Sequence, residues 1–238
     1  MGNGNILNEP KLTTDCVIFG LDEAQRLKVL LIQRGRDPFA NYWALPGGPV
    51  RGDEDLRDAA KRVLEEETGV FDVFMEQLFT FGKIGRDPRG RIVTVVYYAL
   101  VNLLEHHPEP KADTRNVEWF EISQLPQQLA FDHDAILDKA INRLRSKLRY
   151  QSVGFELLPE LFTLTQLQKL YETLLGRELN KRNFRTRILK MGILNEEGKQ
   201  EKVSHRPARL YSFNKEKYDN YIKEKHENLV KRGVDFEI

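Results

Sequence analysis

The chain has 238 residues, of which 31% are charged, 40% hydrophobic and 10% aromatic. That is long for one average domain and short for three, so two compact units are expected. So much apolar and aromatic material excludes overall disorder, and the collagen-like and coiled-coil classes with it. The net charge of +1 speaks at first sight against a polyanionic partner.

The average conceals an asymmetry. Residues 1–150 hold 20 basic and 23 acidic side chains, a net −3, and residues 151–238 hold 17 and 13, a net +4. Between Lys181 and Arg209 nine Lys/Arg face only Glu196, Glu197 and Glu201, a local +6. No run approaches the roughly 18 apolar residues of a membrane span, and Met1 to Pro10 lacks the basic-then-apolar order of a secretory signal, so a cytoplasmic protein with no membrane partner is expected. A single cysteine, Cys16, excludes an internal disulfide and a Cys-rich zinc site, and its apolar neighbours Val17-Ile18-Phe19 predict a buried thiol.

In chain order, Leu12 to Phe19 and Leu27 to Gln33 read as two β-branched strands joined by a polar turn. Trp43-Ala44-Leu45-Pro46-Gly47-Gly48 ends in a Pro-Gly-Gly break. Leu56, Ala59, Ala60, Val63 and Leu64 then recur at helical spacing, with Gly69 as the stop. Two apolar stretches, Phe71 to Ile84 and Ile92 to Leu103, predict a long hairpin whose tip carries Arg86, Arg89 and Arg91. A strand at Val117 to Phe120 and a helix from Asp134 to Arg149 complete the first unit, read as helices among mainly antiparallel strands. The pair His106-His107 precedes Pro108 and belongs to a loop.

Past Tyr150, Thr163 with Gln166 forms a capping box, and Leu164, Leu167, Leu170, Leu174 and Leu175 give a helix ended by Gly176. Asn180 caps a second helix, Lys181 to Met191, at helix-turn-helix spacing. Ile193-Leu194, a turn at Glu197-Gly198 and the strand Ala208 to Phe213 form a hairpin wing, and the Lys/Glu-rich end from Lys215 reads as a fraying or mobile helix. On the second helix Phe184, Ile188 and Met191 face the core, leaving Lys181, Arg182, Asn183, Arg185, Thr186, Arg187 and Lys190 for a polyanion. Arg and Asn can bond guanine and adenine edges bidentately, while Lys and Thr hold phosphates. Lys202, Ser204, His205, Arg206 and Arg209 add a basic wing around Pro207. No second His or Cys stands at ligand spacing from His205, so no metal is expected there. A basic amphipathic helix alone is commonly a solvated face; its place in a short helix-turn-helix with a basic hairpin makes double-stranded DNA the expected partner.

The stretch from Gly48 through Glu54 to Arg62-Val63-Leu64-Glu65-Glu66-Glu67-Thr68-Gly69-Val70 resembles the Nudix box of pyrophosphohydrolases: Gly, five residues, Glu, seven residues, then Arg-Glu-apolar-x-Glu-Glu-x-Gly-apolar. One fixed position departs, with Val63 where the family has Glu. Family chemistry needs carboxylates to cage Mg²⁺ or Mn²⁺ around a pyrophosphate, and valine neither binds a cation nor takes a proton. Glu66 and Glu67 are then vestigial ligands, the resemblance implies that Arg62 and Glu54 pair structurally, and no catalytic residue or cofactor is assigned. Mg²⁺ or Mn²⁺ enters only with residual hydrolysis.

Joined to a winged helix, and with Ala130-Phe131-Asp132-His133 and Arg206-Pro207-Ala208-Arg209-Leu210-Tyr211 in place, the chain resembles the Nudix-related transcriptional regulators (NrtR- and AraR-like proteins). The resemblance implies an α+β protein: a Nudix-fold α/β/α sandwich with a mixed sheet over residues 1–150, and a winged helix-turn-helix domain over 151–238. It implies a homodimer on a palindromic operator, with an effector such as arabinose or ADP-ribose in a pocket that includes Gly47, Gly48, Glu66, Glu67, Arg86 and Arg89. Loss of the metal-binding Glu inclines the reading towards a sugar, whereas a phosphate clamp by the hairpin arginines would favour ADP-ribose. The competing expectation is a divergent Nudix pyrophosphohydrolase acting with Mg²⁺ or Mn²⁺ on a nucleoside diphosphate derivative.

Overall fold

The apolar run after Lys11 forms the central strand β1, Lys11–Leu21, in which every residue from Thr14 onward is buried. Alternate side chains of a strand point to opposite faces, so burial of both sets means that the sheet is covered on both sides. The computed structural model describes residues 9–22, 25–103, 106–111, 113–150, 155, 158–201 and 206–231. They divide between two compact units, Met1–Ser146 and Lys147–Ile238.

In the first unit β1 pairs antiparallel with β2, Leu27–Arg34, placing Phe19 opposite Val29. The remaining strands are β3 (Trp43–Ala44), β4 (Gly47–Pro49), β5 (Glu76–Phe81), β6 (Ile92–Asn102) and β7 (Thr114–Glu121). The sheet has seven strands in the order β3-β2-β1-β6-β5, with β4 paired to β1 and β7 to β2. Strands β5 and β6 are antiparallel, as the hairpin reading requires. The expected mainly antiparallel pairing holds, and the sheet is mixed through the pair at its centre, where β1 and β6 run parallel from Lys11 opposite Ile92 to Leu21 opposite Asn102. A parallel pair needs a long connection, here the whole run from β2 to β5 with helix α1 (Leu56–Thr68) in it, and neither alternation nor turn residues reveal that partnership.

Helix α1, Leu56–Thr68, buries Ala59, Ala60, Val63 and Leu64 and ends at Gly69, whose φ of +72° suits glycine and whose N–H caps the Glu65 carbonyl. The Cys16 thiol lies 3.4 Å from the Ala60 carbonyl oxygen, so α1 is seated on β1 at that point. Burial raises the Cys16 pKa well above its ordinary value, the buried inert thiol that its neighbours predict. Helix α2, His133–Tyr150, buries Ile136, Leu137, Ala140 and Leu144, each worth about 1–3 kcal/mol for the larger side chains. It starts in the first unit and carries the chain into the second.

The second unit contains β8 (Phe162–Thr163), α3 (Leu164–Leu175), α4 (Lys181–Lys190), β9 (Leu194–Lys199), β10 (Arg209–Phe213) and α5 (Lys215–Lys231). The capping box forms as the sequence predicts: the Gln166 N–H donates to the Thr163 hydroxyl at 3.2 Å and the Thr163 N–H to Gln166 Oε1 at 2.8 Å. Asn180 Oδ1 accepts from the Asn183 N–H at 3.0 Å, starting α4. Leu167, Leu170, Leu174 and Ile188 are buried between the helices, and the three-stranded sheet β8-β10-β9 forms the wing. The expected turn at Glu197-Gly198 is corrected, because both lie inside β9 and Gly198 pairs with Leu210 beside a bulge. The hairpin therefore turns beyond Lys199, and Lys202, Ser204 and His205 lie outside the described residues. Among the described residues no helix is long and apolar enough to cross a membrane.

One close approach in the first unit is sharp enough to test. Gly47 sits opposite Asp15 in the β1–β4 register, and a Cβ there would lie 2.0 Å from Asp15 Oδ1 and 3.0 Å from the Thr14 carbonyl oxygen. Gly47→Ala is expected to lower unfolding free energy by about 1–3 kcal/mol, read as a shifted urea midpoint with an unchanged slope.

Candidate functional site

A cleft of about 420 Å³ opens where β1, the Gly47-Gly48 segment, the 86–89 turn and the start of α2 meet. Asp15 is buried on its floor. Its Oδ2 lies 3.5 Å from Arg86 Nη2 and its Oδ1 3.9 Å from His133 Nε2. Arg86 in turn grips Asp132 with two bonds, Nη2 to Oδ1 at 2.6 Å and Nε to Oδ2 at 3.0 Å. The Leu45 N–H donates to His133 Nδ1 at 2.9 Å, which requires that nitrogen to be unprotonated. Burial pulls the His133 pKa below its ordinary value, in keeping with a neutral ring. These bonds lock three loops around one carboxylate.

The glycine segment enters the cleft backbone first. The Gly47 N–H donates to Glu67 Oε2 at 2.8 Å, and Gly48 lies against Val63, whose methyl would be 3.1 Å from a Cβ on that glycine. Val63 is therefore packed under the loop, filling with hydrocarbon the place of the box's missing carboxylate. Glu67 lines the cleft, whereas Glu66 does not. Glu66 turns outward, bonding Arg51 Nη2 at 3.0 Å and Arg62 Nη1 at 2.8 Å. The expectation that Glu66 belongs to the pocket is thus corrected: one residue step on a helix turns a side chain by about 100°, and two guanidiniums hold it there. Arg62 also donates to Glu54 at 2.6 and 2.7 Å, holding that carboxyl at about 2, and does not line the cleft. The Arg62–Glu54 pair is structural, as the resemblance implies.

Among the described residues no group of three or more His, Cys, Asp or Glu side chains is placed to hold a metal ion. With Val63 apolar and Glu66 committed elsewhere, the donors left at the box do not fit a divalent cation, and no step here passes through one.

The hairpin arginines are placed otherwise than at an exposed tip. Arg86 is buried and Arg89 half-exposed, and both line the cleft, but each already holds a carboxylate; Arg89 bonds Asp87 at 2.6 and 3.0 Å. Arg91 turns back to the Gly82 carbonyl. Two cleft residues escape sequence reasoning. Phe131, at φ +57°, presents its ring to the guanidiniums of Arg34 at 4.8 Å and Arg89 at 5.2 Å. Arg34, at the end of β2, donates to the Pro38 and Arg36 carbonyls at 3.0 and 3.4 Å. The only sequence signal for Arg34 is an arginine ending a buried strand.

In the second unit Lys181, Arg182, Asn183, Thr186, Arg187 and Lys190 are exposed on α4, opposite buried Ile188. Phe184 packs towards the core, its ring 5.5 Å from that of Tyr171. Arg185 departs from the expected outward face. It is half-buried, donates from Nη2 to Thr165 Oγ1 on α3 at 3.0 Å, and so ties the two helices together. Its position one residue after Phe184 puts it on the flank of the buried stripe. Leu189 stands 48% exposed on the outward face, an apolar side chain among the polar ones. On the wing Arg206 is exposed, and Arg209 is exposed with Glu196 at 2.9 Å.

The chain matches the family of the NUDIX domain over residues 10–140 and that of the NrtR DNA-binding winged helix domain over 154–213. It is 42% identical over 213 residues, 88% of this chain and 84% of the other, to the ADPR responsive transcriptional repressor NtrR of Acinetobacter baylyi. Shewanella oneidensis NrtR, crystallised with a 27mer DNA, superposes with a TM-score of 0.69 at 36% identity, covering 87% of this chain and 95% of that one. The NUDIX domain of the same Shewanella protein, crystallised with ADP ribose, gives a TM-score of 0.52 at 40% identity over 57% of this chain and 88% of that one.

The buried glutamate gives the cleft a pH signature. Burial, reinforced by the nearby Asp15 charge, pushes the Glu67 carboxyl up to about 7 against the Gly47 N–H, which favours the ionised form. The folded protein then binds a proton that the unfolded chain releases near its ordinary value of about 4.5, so this group's contribution is full below that value and is lost as pH rises towards 7. Glu67→Gln keeps the acceptor and removes the titration. Denaturation between pH 5 and 8 is expected to show the parent losing on the order of 2 kcal/mol relative to the variant; parallel profiles would refute the assignment.

Proposed function

Because the chain belongs to the NrtR family, we propose that it is a transcriptional repressor in which the Nudix unit binds ADP-ribose and the winged-helix unit binds operator DNA, one controlling the other. The observation that carries this reading is the cleft itself: a nucleotide-sized, polar, largely preformed site in which Val63 and the outward Glu66 have displaced the metal cage. A site that keeps the binding walls and loses the hydrolytic donors suits recognition without turnover. The relatives' ligands favour ADP-ribose over the sugar inclination of the sequence, and arabinose becomes the control ligand.

DNA binding follows from α4. Its exposed face offers Arg182, Asn183 and Thr186 towards base edges, with Lys181, Arg187 and Lys190 for phosphates. A homodimer would present two such helices to a palindromic operator about one DNA turn apart. The coupling route begins at Asp132 and His133, which belong both to the cleft network and to the start of α2, the helix that continues into the second unit.

Fluorescence anisotropy of the full chain on an operator selected from random duplexes tests the reading. Salt-dependent binding released by ADP-ribose and untouched by arabinose is expected; absence of DNA binding, or indifference to ADP-ribose, would refute it. ADP-ribose incubated with the protein and Mg²⁺ or Mn²⁺ is expected to be recovered intact, and turnover would restore the hydrolase reading. Arg182→Ala is expected to weaken operator binding by about 1–3 kcal/mol and alter base preference, while Arg187→Ala lowers the salt slope by about one. Asp132→Asn is expected to preserve DNA binding in the absence of ligand and to erase the about 1–3 kcal/mol by which ADP-ribose weakens it.

A further inference from the structure

The cleft's cations differ in what already neutralises them. Arg86 is bound to Asp132 and Asp15, Arg89 to Asp87, and Arg36 to Asp113 at 2.7 Å. Arg34 and the exposed Lys11 have no carboxylate within 4 Å among the described residues, and Arg34 differs from the lysine in being oriented, its guanidinium held by the carbonyl oxygens of Pro38 and Arg36 and by the face of Phe131. Carbonyl oxygens and a ring face orient a guanidinium without cancelling its charge, and they leave Nη1 without a bond in the structure. Arg34 is also half-buried on the cleft wall.

A partly desolvated cation without a counterion is costly unless an anion completes it. Burial, and after it the neighbouring guanidiniums of Arg89 and Arg36, lower the Arg34 pKa below arginine's ordinary value, and the Glu67 and Asp87 carboxylates beyond ion-pair distance offset this only in part. The group stays charged at any physiological pH. We propose that Arg34, rather than the hairpin arginines, is the residue that receives the diphosphate of the effector. The planar fork suits bidentate bonding to phosphate oxygens, and the Phe131 ring fixes its plane beforehand. The adenosine and terminal ribose of a nucleoside diphosphate sugar would then be recognised elsewhere in the cleft, so Arg34 selects for the anionic link. The proposal rests on the effector-binding reading above, and names the part of the ligand that the cleft reads by charge.

Calorimetric titration of the full chain with ADP-ribose, inorganic pyrophosphate and adenosine tests it, using the parent, Arg34→Gln and Arg34→Lys. Arg34→Gln is expected to weaken ADP-ribose and pyrophosphate at least tenfold and leave adenosine unchanged, with Arg34→Lys intermediate because it restores charge without the fork. Unchanged ADP-ribose affinity in Arg34→Gln would overturn the proposal, as would an equal loss for adenosine, which would mark a collapsed loop instead. Arg34-dependent binding of pyrophosphate by a parent that ignores ADP-ribose would sustain Arg34 while refuting ADP-ribose as effector. Failure of the parent to bind either anion would overturn both.

Discussion

The carboxylate of Asp15 is the constraint around which the first unit is arranged. It is buried in the middle of the sheet, on the strand flanked by parallel β6 and antiparallel β2. A buried carboxylate needs partners, and two separate parts of the chain approach it, Arg86 from the turn after β5 and His133 from the start of α2, while the backbone of β4 can lie close only because Gly47 has no side chain. Remove the carboxylate and Arg86 keeps Asp132 as its ion-pair partner, while the 45–48 segment keeps its backbone pairing to β1 and its bonds to His133 and Glu67. The cleft thus forms where these backbone and side-chain ties converge on one buried acid.

The Nudix helix keeps its structural contacts although its box carries valine in place of one carboxylate. Its structural contacts are all in place: Arg62 clasps Glu54 and the Pro49 carbonyl, Gly69 closes the last turn, and Ala60 and Leu64 pack into the core. The departures lie at two positions, Val63 buried under the loop and Glu66 turned outward. Val63 packs against Gly48, which a charged carboxylate could not do without stranding its charge, and Glu66 has found partners in Arg51 and Arg62. Glu67 alone still faces inward, and burial among other acids biases it towards the neutral form. A neutral glutamic acid can donate a hydrogen bond as well as accept one, a property that suits recognition of a polar ligand better than coordination of a cation.

Much of this was legible in the residues. Periodicity and punctuation located α1, α3, α4 and both capping residues, because local rules decide them: a Thr with Gln three residues on, an Asn before a basic helix, a Gly at positive φ after the last turn. The parallel β1–β6 pair was not legible, because strand partnership is a long-range property. Neither was the fate of the hairpin arginines. Arg86 reads as a solvent-exposed tip residue until Asp15 and Asp132, distant in sequence, are brought beside it. The same limit hid Arg34: an arginine's importance here lies in the carboxylate it lacks, and only the folded arrangement shows which acids are already taken. Arg185 failed for a smaller reason, since a residue on the flank of an amphipathic stripe can turn either way and the hydroxyl of Thr165 decides it.

Control of DNA by a small ligand requires an element with two arrangements of nearly equal free energy, biased by occupancy of the cleft. The Asp15–Arg86–Asp132 chain has the composition for this. Arg86 stands between two carboxylates, 2.6 Å from partly exposed Asp132 and 3.5 Å from buried Asp15, and so has an ion-pair partner on either side. An anion beside Arg34 changes the field in which those pairs are held. Asp132 immediately precedes α2, the helix along which the chain passes from the first unit to the second. The acidic half of the sequence and the basic half, which cancel in the net charge, differ in how their cations are covered: the first pairs Arg86, Arg89 and Arg36 with its own carboxylates, and the second leaves Lys181, Arg182, Arg187 and Lys190 exposed on α4.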